Sequence, residues 1–532
     1  MDENLLKPWG LSVTTPQGQS ISDANSRGSS RSISLMATST TTQNATPLAT
    51  STKEANGSIS HSPSSSTGRG RSTISTNSPW DKKYILTLDG GGMRGMSTLL
   101  IIQNLMALCN TFEQSQDPLV ESSFHPLPFQ EGQGPTVNKN SRSAKFLPVH
   151  YFDYIAGTST GGLIAIMLSR LRMNIDDCIQ EYENLGKEVF GYPRHFSIRG
   201  PIPFNREKYD HRKLEKVIKD VVERRHLKVD QVAEPMYPSS QDRCRTIVLA
   251  IRENSSSDAP YLFRTYEHKK SACNYLEELN PGPAQPIPIW KVARATTAAP
   301  TYFKPIQLER ERFIDGGFGG FSNNPTSRTF AEIEQMHGKG AVTLTLSIGT
   351  GRPTKVQPIA KHKSGFVRYI LQLIKYTTAT TTDSENTHER VRELLAAQGC
   401  PYERFNVDGG LGDINLGEWR IRGKENITLK KIRDQTRAYL EQSDVQTQME
   451  RMAKMLVNNR IERAKTSRWN VVATGHRYHC PKRCDDERIF MRDTDLRDHL
   501  CEAHGFSSFP RDSDEELKLE EAVKSGRISY TD

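Results

Sequence analysis

Two short strings place reactive side chains where reactions need them, Gly157-Thr158-Ser159-Thr160-Gly161 and Asp315-Gly316-Gly317. The first has the Gly-x-Ser-x-Gly form that holds a nucleophilic serine on a sharp strand-to-helix turn. Its flanks fit that setting, because Tyr151 to Ala156 reads as a strand and Gly162 to Leu168 as the start of a buried helix. A third string, Asp89-Gly90-Gly91-Gly92-Met93-Arg94-Gly95, follows the apolar run Tyr84 to Leu88. Glycines between a strand and a helix leave backbone N–H groups free and let another group approach closely. Gly90, Gly92 and Gly95 also satisfy the spacing of a dinucleotide fingerprint, but that motif wants a second strand ending in Asp or Glu about 20 residues on. A helix from Leu99 to Phe112 and a polar stretch follow instead. The alternative is an oxyanion hole, with N–H donors aimed at charge on a tetrahedral intermediate.

The glycine cluster, the Gly-Thr-Ser-Thr-Gly-Gly string and the later Asp-Gly-Gly resemble those of the patatin-like lipid acyl hydrolases. Further matching stretches are Ala295 to Phe303, Asn323-Asn324-Pro325 and Ser347 to Gly351, all in the family's order between about Tyr84 and Trp419. The resemblance implies an α/β fold with a mostly parallel sheet, helices on both faces and a Ser–Asp dyad without a catalytic histidine. It implies that Ser159 attacks a lipid ester and that Asp315 acts as general base. Gly157 and Gly161 frame the nucleophile turn, and Gly90, Gly91 and Gly92 hold the oxyanion with Arg94 beside them. A carboxylate working directly on a serine must approach within about 2.6–3.2 Å. Asp408-Gly409-Gly410 repeats the Asp-Gly-Gly string, but its surroundings read as a hairpin loop. A Ser-Asp-His order is the competing mechanism, since His337, His362 and His388 all follow Asp315.

Near the C-terminus Cys480, Cys484, His499 and His504 have the ligand types of a two-Cys, two-His zinc site, in which thiolates and imidazoles close a tetrahedron. Tyr478, Phe490 and Leu496 supply the apolar frame of a ββα zinc finger. The interval from Cys484 to His499 exceeds the usual spacing of about 12 by two residues. Cys501 is an alternative ligand that breaks the helical spacing. A module of about 30 residues has too little core to fold alone, so structural zinc would supply its folding energy. Base-reading positions fall on Arg492, Asp495 and Asp498. That surface is too acidic for a duplex, which favours a protein contact over nucleic acid.

These sites must be carried by a chain of 532 residues with a net charge of +9. Residues 11–79 are rich in Ser, Thr, Asn and Gly and are expected to be disordered. The sequence divides into a tail (1–79), a hydrolase domain (80–425), a basic helical segment (426–475), the zinc module (476–506) and an acidic tail (507–532). Residues 114–147 read as a polar insert. No apolar run approaches the about 18 residues of a membrane span, and there is no signal-peptide pattern. Eight cysteines in this setting do not read as a disulfide framework. The cations between 420 and 468 suit anionic lipid headgroups. The expectation is a cytoplasmic enzyme, peripheral at membranes, acting on membrane lipids; the rival is a catalytically silent signalling or nucleic-acid-binding protein.

Overall fold

The computed structural model describes residues 78–529 except 117–145, 193–206, 226–233, 240–242, 254–259, 269–279, 281, 318–321, 355–383, 467, 475, 483, 485–487, 491–492 and 507–513. The expected disordered tail, nearly all of the polar insert and His362 lie outside these residues.

An apolar run that is buried on both sides makes a parallel central strand. β1 (Lys83–Leu88) is one, flanked in parallel by β2 (Tyr154–Thr158) and by β7 (Val342–Ile348). β3 (Arg245–Arg252) extends the sheet beside β2, and β8 (Tyr402–Phe405) extends it beside β7. The antiparallel strands β4 (Tyr261–Arg264), β5 (Ile306–Leu308) and β6 (Glu311–Asp315) complete eight strands in the order β5-β6-β3-β2-β1-β7-β8, with β4 paired to β3.

Side chains alternate between the two faces as the two-residue period requires. Leu86, Leu88, Ile155, Val248 and Ala250 enter one core, and Ile85, Tyr154, Ala156, Ile247 and Leu249 the other. The first face is covered by α1 (Gly95–Gln116), α2 (Thr160–Ala165), α3 (Ile175–Phe190), α4 (His211–Arg225) and α5 (Ile289–Thr296). The second is covered by α6 (Thr326–His337) and α7 (384–397), through Phe330, Ile333, Val391 and Leu395. This is the mixed α/β architecture with helices on both faces.

The basic segment is built into this unit. α8 (Ile427–Leu440) and α9 (Ser443–Ala464) pack on α1. Buried Arg460 bonds Glu113 of α1, and buried Arg463 bonds Asp153 at 2.7 Å. Arg433 and Arg451 pair with Glu183 and Glu403. Arg460 and Arg463, among the cations expected to face a membrane, are therefore spent inside the fold.

Among the described residues, only the helix over Gly92–Gln116 is long and apolar enough to cross a membrane, and 61% of its apolar window is buried here against the sheet and α9. Seven cysteines are described, and none of them is in a disulfide.

Candidate active site

The sheet order reverses at β1, with β2 and β3 on one side and β7 and β8 on the other. Open α/β sheets bind ligands outside the carboxyl ends of the strands at such a switch point. Ser159 leaves the end of β2 with φ 56° and ψ −129°, a strained conformation for a residue with a side chain. Gly157 and Gly161 make that turn possible. A Cβ on Gly157 would stand 2.1 Å from the Gly161 carbonyl oxygen, and one on Gly161 would stand 2.4 Å from that of Leu88. Ser159 N–H donates to Thr296 Oγ1 at 2.8 Å, and the Thr296 hydroxyl donates to the Leu249 carbonyl at 2.6 Å. The strained elbow is thus tied to α5 and β3.

Asp315 ends β6, opposite Ala250 of β3, and is fully buried. Ser159 Oγ donates to Asp315 Oδ2 at 2.6 Å. Asp315 Oδ1 accepts the Gly317 N–H at 2.8 Å, which fixes the carboxylate plane. A Cβ on Gly316 would stand 2.5 Å from the Leu249 carbonyl oxygen, so the close turn after the aspartate needs glycine there. Asp408 is exposed on a turn with Gly409 and Gly410 at positive φ, away from the cavity. His337 bonds the Tyr154 hydroxyl at 2.8 Å, at the end of β2 opposite to Ser159, and His388 bonds that of Tyr402 at 2.9 Å. Neither of these two described histidines bridges Ser159 and Asp315.

The glycine loop lies against the nucleophile: a Cβ on Gly90 would meet that of Ser159 at 2.7 Å. The Gly90 carbonyl is pinned by Thr350 Oγ1 at 2.9 Å and by Asn323 Nδ2 at 3.3 Å. Gly91 N–H reaches Thr160 Oγ1 at 3.2 Å, and Gly90 N–H reaches the Asn323 carbonyl at 3.4 Å. Bonds this long are weak, so these donors can turn toward developing negative charge. Gly92 takes φ 56° beneath the Leu416 carbonyl. Arg94 is 2% exposed, donates to the Gly91 and Gly412 carbonyls and does not line the cavity. It braces the loop.

Sequence reasoning missed what anchors the start of this loop. Buried Asp89 receives a two-pronged bond from Arg404 of β8, at 2.7 Å and 3.3 Å. Arg404 also bonds Ser347 Oγ at 2.8 Å and Glu385 Oε1 at 2.9 Å. Against the penalty of burial, Arg404 and Arg352 hold the Glu385 carboxyl below its usual range. Against the same penalty, Asp89 and Glu385 push the Arg404 guanidinium up, so it stays charged. A buried aspartate before a glycine cluster does call for a cation, but nothing in the chain singles out one 315 residues away.

The cavity over Ser159 and Asp315 is largely apolar, walled by Leu163, Leu185, Phe190, Leu214, Tyr302 and Phe303. It offers a hydrocarbon surface beside a hydrogen-bonded serine, the setting that hydrolysis of a fatty ester needs.

A second constellation forms near the C-terminus. The ligand atoms of Cys480, Cys484, His499 and His504 lie within 4.8 Å of one another. Cys480 Sγ is 3.2 Å from His504 Nε2, and Cys484 Sγ is 3.7 Å from His499 Nε2. Edges of a tetrahedral two-Cys, two-His zinc site are about 3.3–3.8 Å, so both Cys–His pairs stand close to the spacing such an ion needs, and Cys501 is not in the group. The expected acidic tail belongs to the same body. α11 (Asp493–His504) packs on α12 (Asp514–Ser525), and β11 (His476–Tyr478) pairs with β12 (Arg527–Ser529). Leu519, Ala522 and Val523 join Phe490, Leu496 and Leu500 in one small core. Between Tyr478 and Phe490 the finger keeps a single bridge.

Residues 86–329 match the family model described as patatin-like phospholipase. The chain is 28% identical over 389 residues to calcium-independent phospholipase A2-gamma of Rattus norvegicus, covering 72% of this chain and 42% of that protein. It is 28% identical over 397 residues to patatin-like phospholipase 1 of Plasmodium falciparum, covering 71% and 50%. With the 85/88 kDa calcium-independent phospholipase A2 of Mus musculus, the figures are 26% over 365 residues, 63% and 36%. The match thus spans half or less of each of these relatives. Ser159, Asp315 and the glycine loop all fall inside the stretch that matches the patatin-like phospholipase model.

Proposed function

We propose that this protein hydrolyses the carboxylic ester bonds of membrane lipids, as a phospholipase A or lysophospholipase, with Ser159 and Asp315 as its dyad. The observation that carries this reading is the 2.6 Å bond from Ser159 Oγ to buried Asp315, at the foot of an apolar cavity rimmed by Gly90, Gly91 and Gly92. Asp315 takes the serine proton as Oγ attacks the ester carbonyl carbon. The former carbonyl oxygen becomes an oxyanion facing the glycine-loop N–H groups. Collapse breaks the bond to the alcohol, which leaves with the proton from Asp315, and water then releases the fatty acid with Asp315 again as base. A direct Ser–Asp contact needs no imidazole between the two.

The membrane contact narrows to the hairpin of β9 (Ile421–Arg422) and β10 (Glu425–Asn426). Ile421 is 61% exposed between Arg420 and Arg422, with Lys424, Lys430 and Lys431 exposed nearby. Leu416, five residues before Ile421 in the chain, lines the catalytic cavity. An exposed apolar residue among cations suits an anionic bilayer. Cys480, Cys484, His499 and His504 would hold one structural zinc, whose chemistry is to close and stabilise the C-terminal module, leaving its outer surface for a protein partner.

The test compares purified variants on phospholipid vesicles and on a soluble ester. Ser159→Ala and Asp315→Asn each lower kcat at least about a thousandfold while melting like the parent. Asp408→Asn retains full activity. Loss of activity in Asp408→Asn with retention in Asp315→Asn overturns the base assignment, and an inactive parent protein overturns the function.

A further inference from the structure

Behind the catalytic cavity lies a second, more enclosed one, between α2, α3, α4 and α5. Leu163 and Leu185 wall both cavities, so the partition between them is two leucine side chains. The inner chamber is lined by Ile166, Met167, Leu171, Ile218, Val222 and Ala293, among others. Its two polar wall residues, Tyr182 and Glu181, are already committed. The Tyr182 hydroxyl donates to the Gly92 carbonyl at 2.5 Å, tying the chamber wall to the glycine loop. Glu181 pairs with Arg224 at 2.7 Å and Arg225 at 3.5 Å, and these three also line an open groove on the far side of α3 and α4. An ion pair therefore closes the outer end.

We propose that this inner chamber receives the distal part of the substrate's acyl chain, and that Leu163 and Leu185 set the chain length the enzyme prefers. The inference rests on the hydrolase reading above. A fatty ester whose carbonyl sits at Ser159 must send its unbranched tail away from the polar dyad, and the shared leucine wall is an apolar continuation of that path. Water has little to bind there, because apolar cavities stay dry and take up hydrocarbon instead. The helix beside the chamber departs from α geometry over Ile166–Arg170, where Leu171 N–H bonds the Ile166 carbonyl five residues back. Such widened turns accompany functional sites, and this one aims Ile166 and Met167 at the chamber. Seam and chamber are both nearly closed as they stand. Entry requires the ends of Leu163, Leu185 and Met167 to swing aside, and thioether and isobutyl groups do so readily.

The test uses alkyl fluorophosphonates of four and sixteen carbons, which report the reactivity of Ser159 directly. The parent protein reacts faster with the long probe. Val222→Phe fills the chamber and lowers the long-to-short rate ratio at least about tenfold, since each methylene in an apolar pocket is worth about 10-fold or more. Ile218→Ala enlarges the chamber and moves the optimum to longer chains, which keeps the idea testable if the phenylalanine variant melts early. A fluorescent sixteen-carbon fatty acid should also bind the Ser159→Ala protein, with weaker binding when Val222→Phe is added. An unchanged ratio in both variants, with undiminished fatty-acid binding, overturns the chamber. No labelling of the parent by either probe would instead sink the hydrolase reading, and this inference with it.

Discussion

Ser159 keeps an unfavourable backbone because its surroundings over-determine it. Two glycines remove the Cβ clashes, Thr296 holds its N–H and Asp315 holds its hydroxyl. Strain of this kind costs about 1–3 kcal/mol and persists only where the neighbours enforce it. The facing glycine loop has its own anchor in the Asp89–Arg404 pair, which touches no reacting atom. Arg404 is therefore a positioning residue, and its geometry matters as well as its charge. Arg404→Lys keeps a cation but loses the fork that grips both carboxylate oxygens. It should lower kcat about 10–100-fold with KM within about twofold of the parent, because small misplacement of a stabilising group is paid in the transition state. Arg404→Gln leaves Asp89 buried without its cation, and should also drop the melting temperature. If Arg404→Lys loses stability and KM together with kcat, the pair is merely structural.

At the scale of elements, the motif-bearing parts were legible because each places its chemistry locally. The β1 and β2 apolar runs, the glycine cluster and the serine turn are continuous in sequence, and Asp315 follows a short apolar strand. The Arg404–Glu385 brace was not legible, since it joins distant segments through charge alone. The basic segment was legible as helix but misleading as surface. Arg460 and Arg463 look like their neighbours on paper, yet both are buried, against Glu113 and the half-buried Asp153. What remains exposed is the β9–β10 tip, which leads to a narrower prediction. Ile421→Asp combined with Arg422→Glu and Lys424→Glu should reduce partitioning onto phosphatidylserine-containing vesicles at least about tenfold, since each cation near such a surface contributes about 1 kcal/mol. Hydrolysis of a soluble ester should persist, and parental binding should weaken as salt rises. Vesicle binding that ignores both the triple substitution and salt would remove the hairpin from the interface.

At the scale of the whole molecule, the catalytic unit and the C-terminal module are joined through α10 (Arg468–Thr474), which leads into β11. That joint is firmly held on the catalytic side. Arg172 donates to the Val472 and Ala473 carbonyls at 3.1 Å and 2.6 Å, and His150 Nε2 lies 3.2 Å from the latter. Beyond it, the module's core has six buried apolar residues among those described, three of them from the segment that reads as a tail. A core that small offsets little of the ordering of some fifty residues, so the proposed zinc would carry much of the module's stability. Four such ligands would close their own tetrahedron around it and leave no position for substrate. Freshly purified protein should therefore contain one zinc per chain. Chelation, or Cys480→Ser with Cys484→Ser, should expose residues from about 476 to 529 to rapid proteolysis while the catalytic unit stays resistant. Hydrolysis of a soluble ester should be unchanged, because Arg172 and His150 keep the joint in place when the module beyond it melts. Protein without zinc refutes the metal. Loss of soluble-ester hydrolysis on chelation would instead couple the module to the dyad and overturn the separation of the two chemistries.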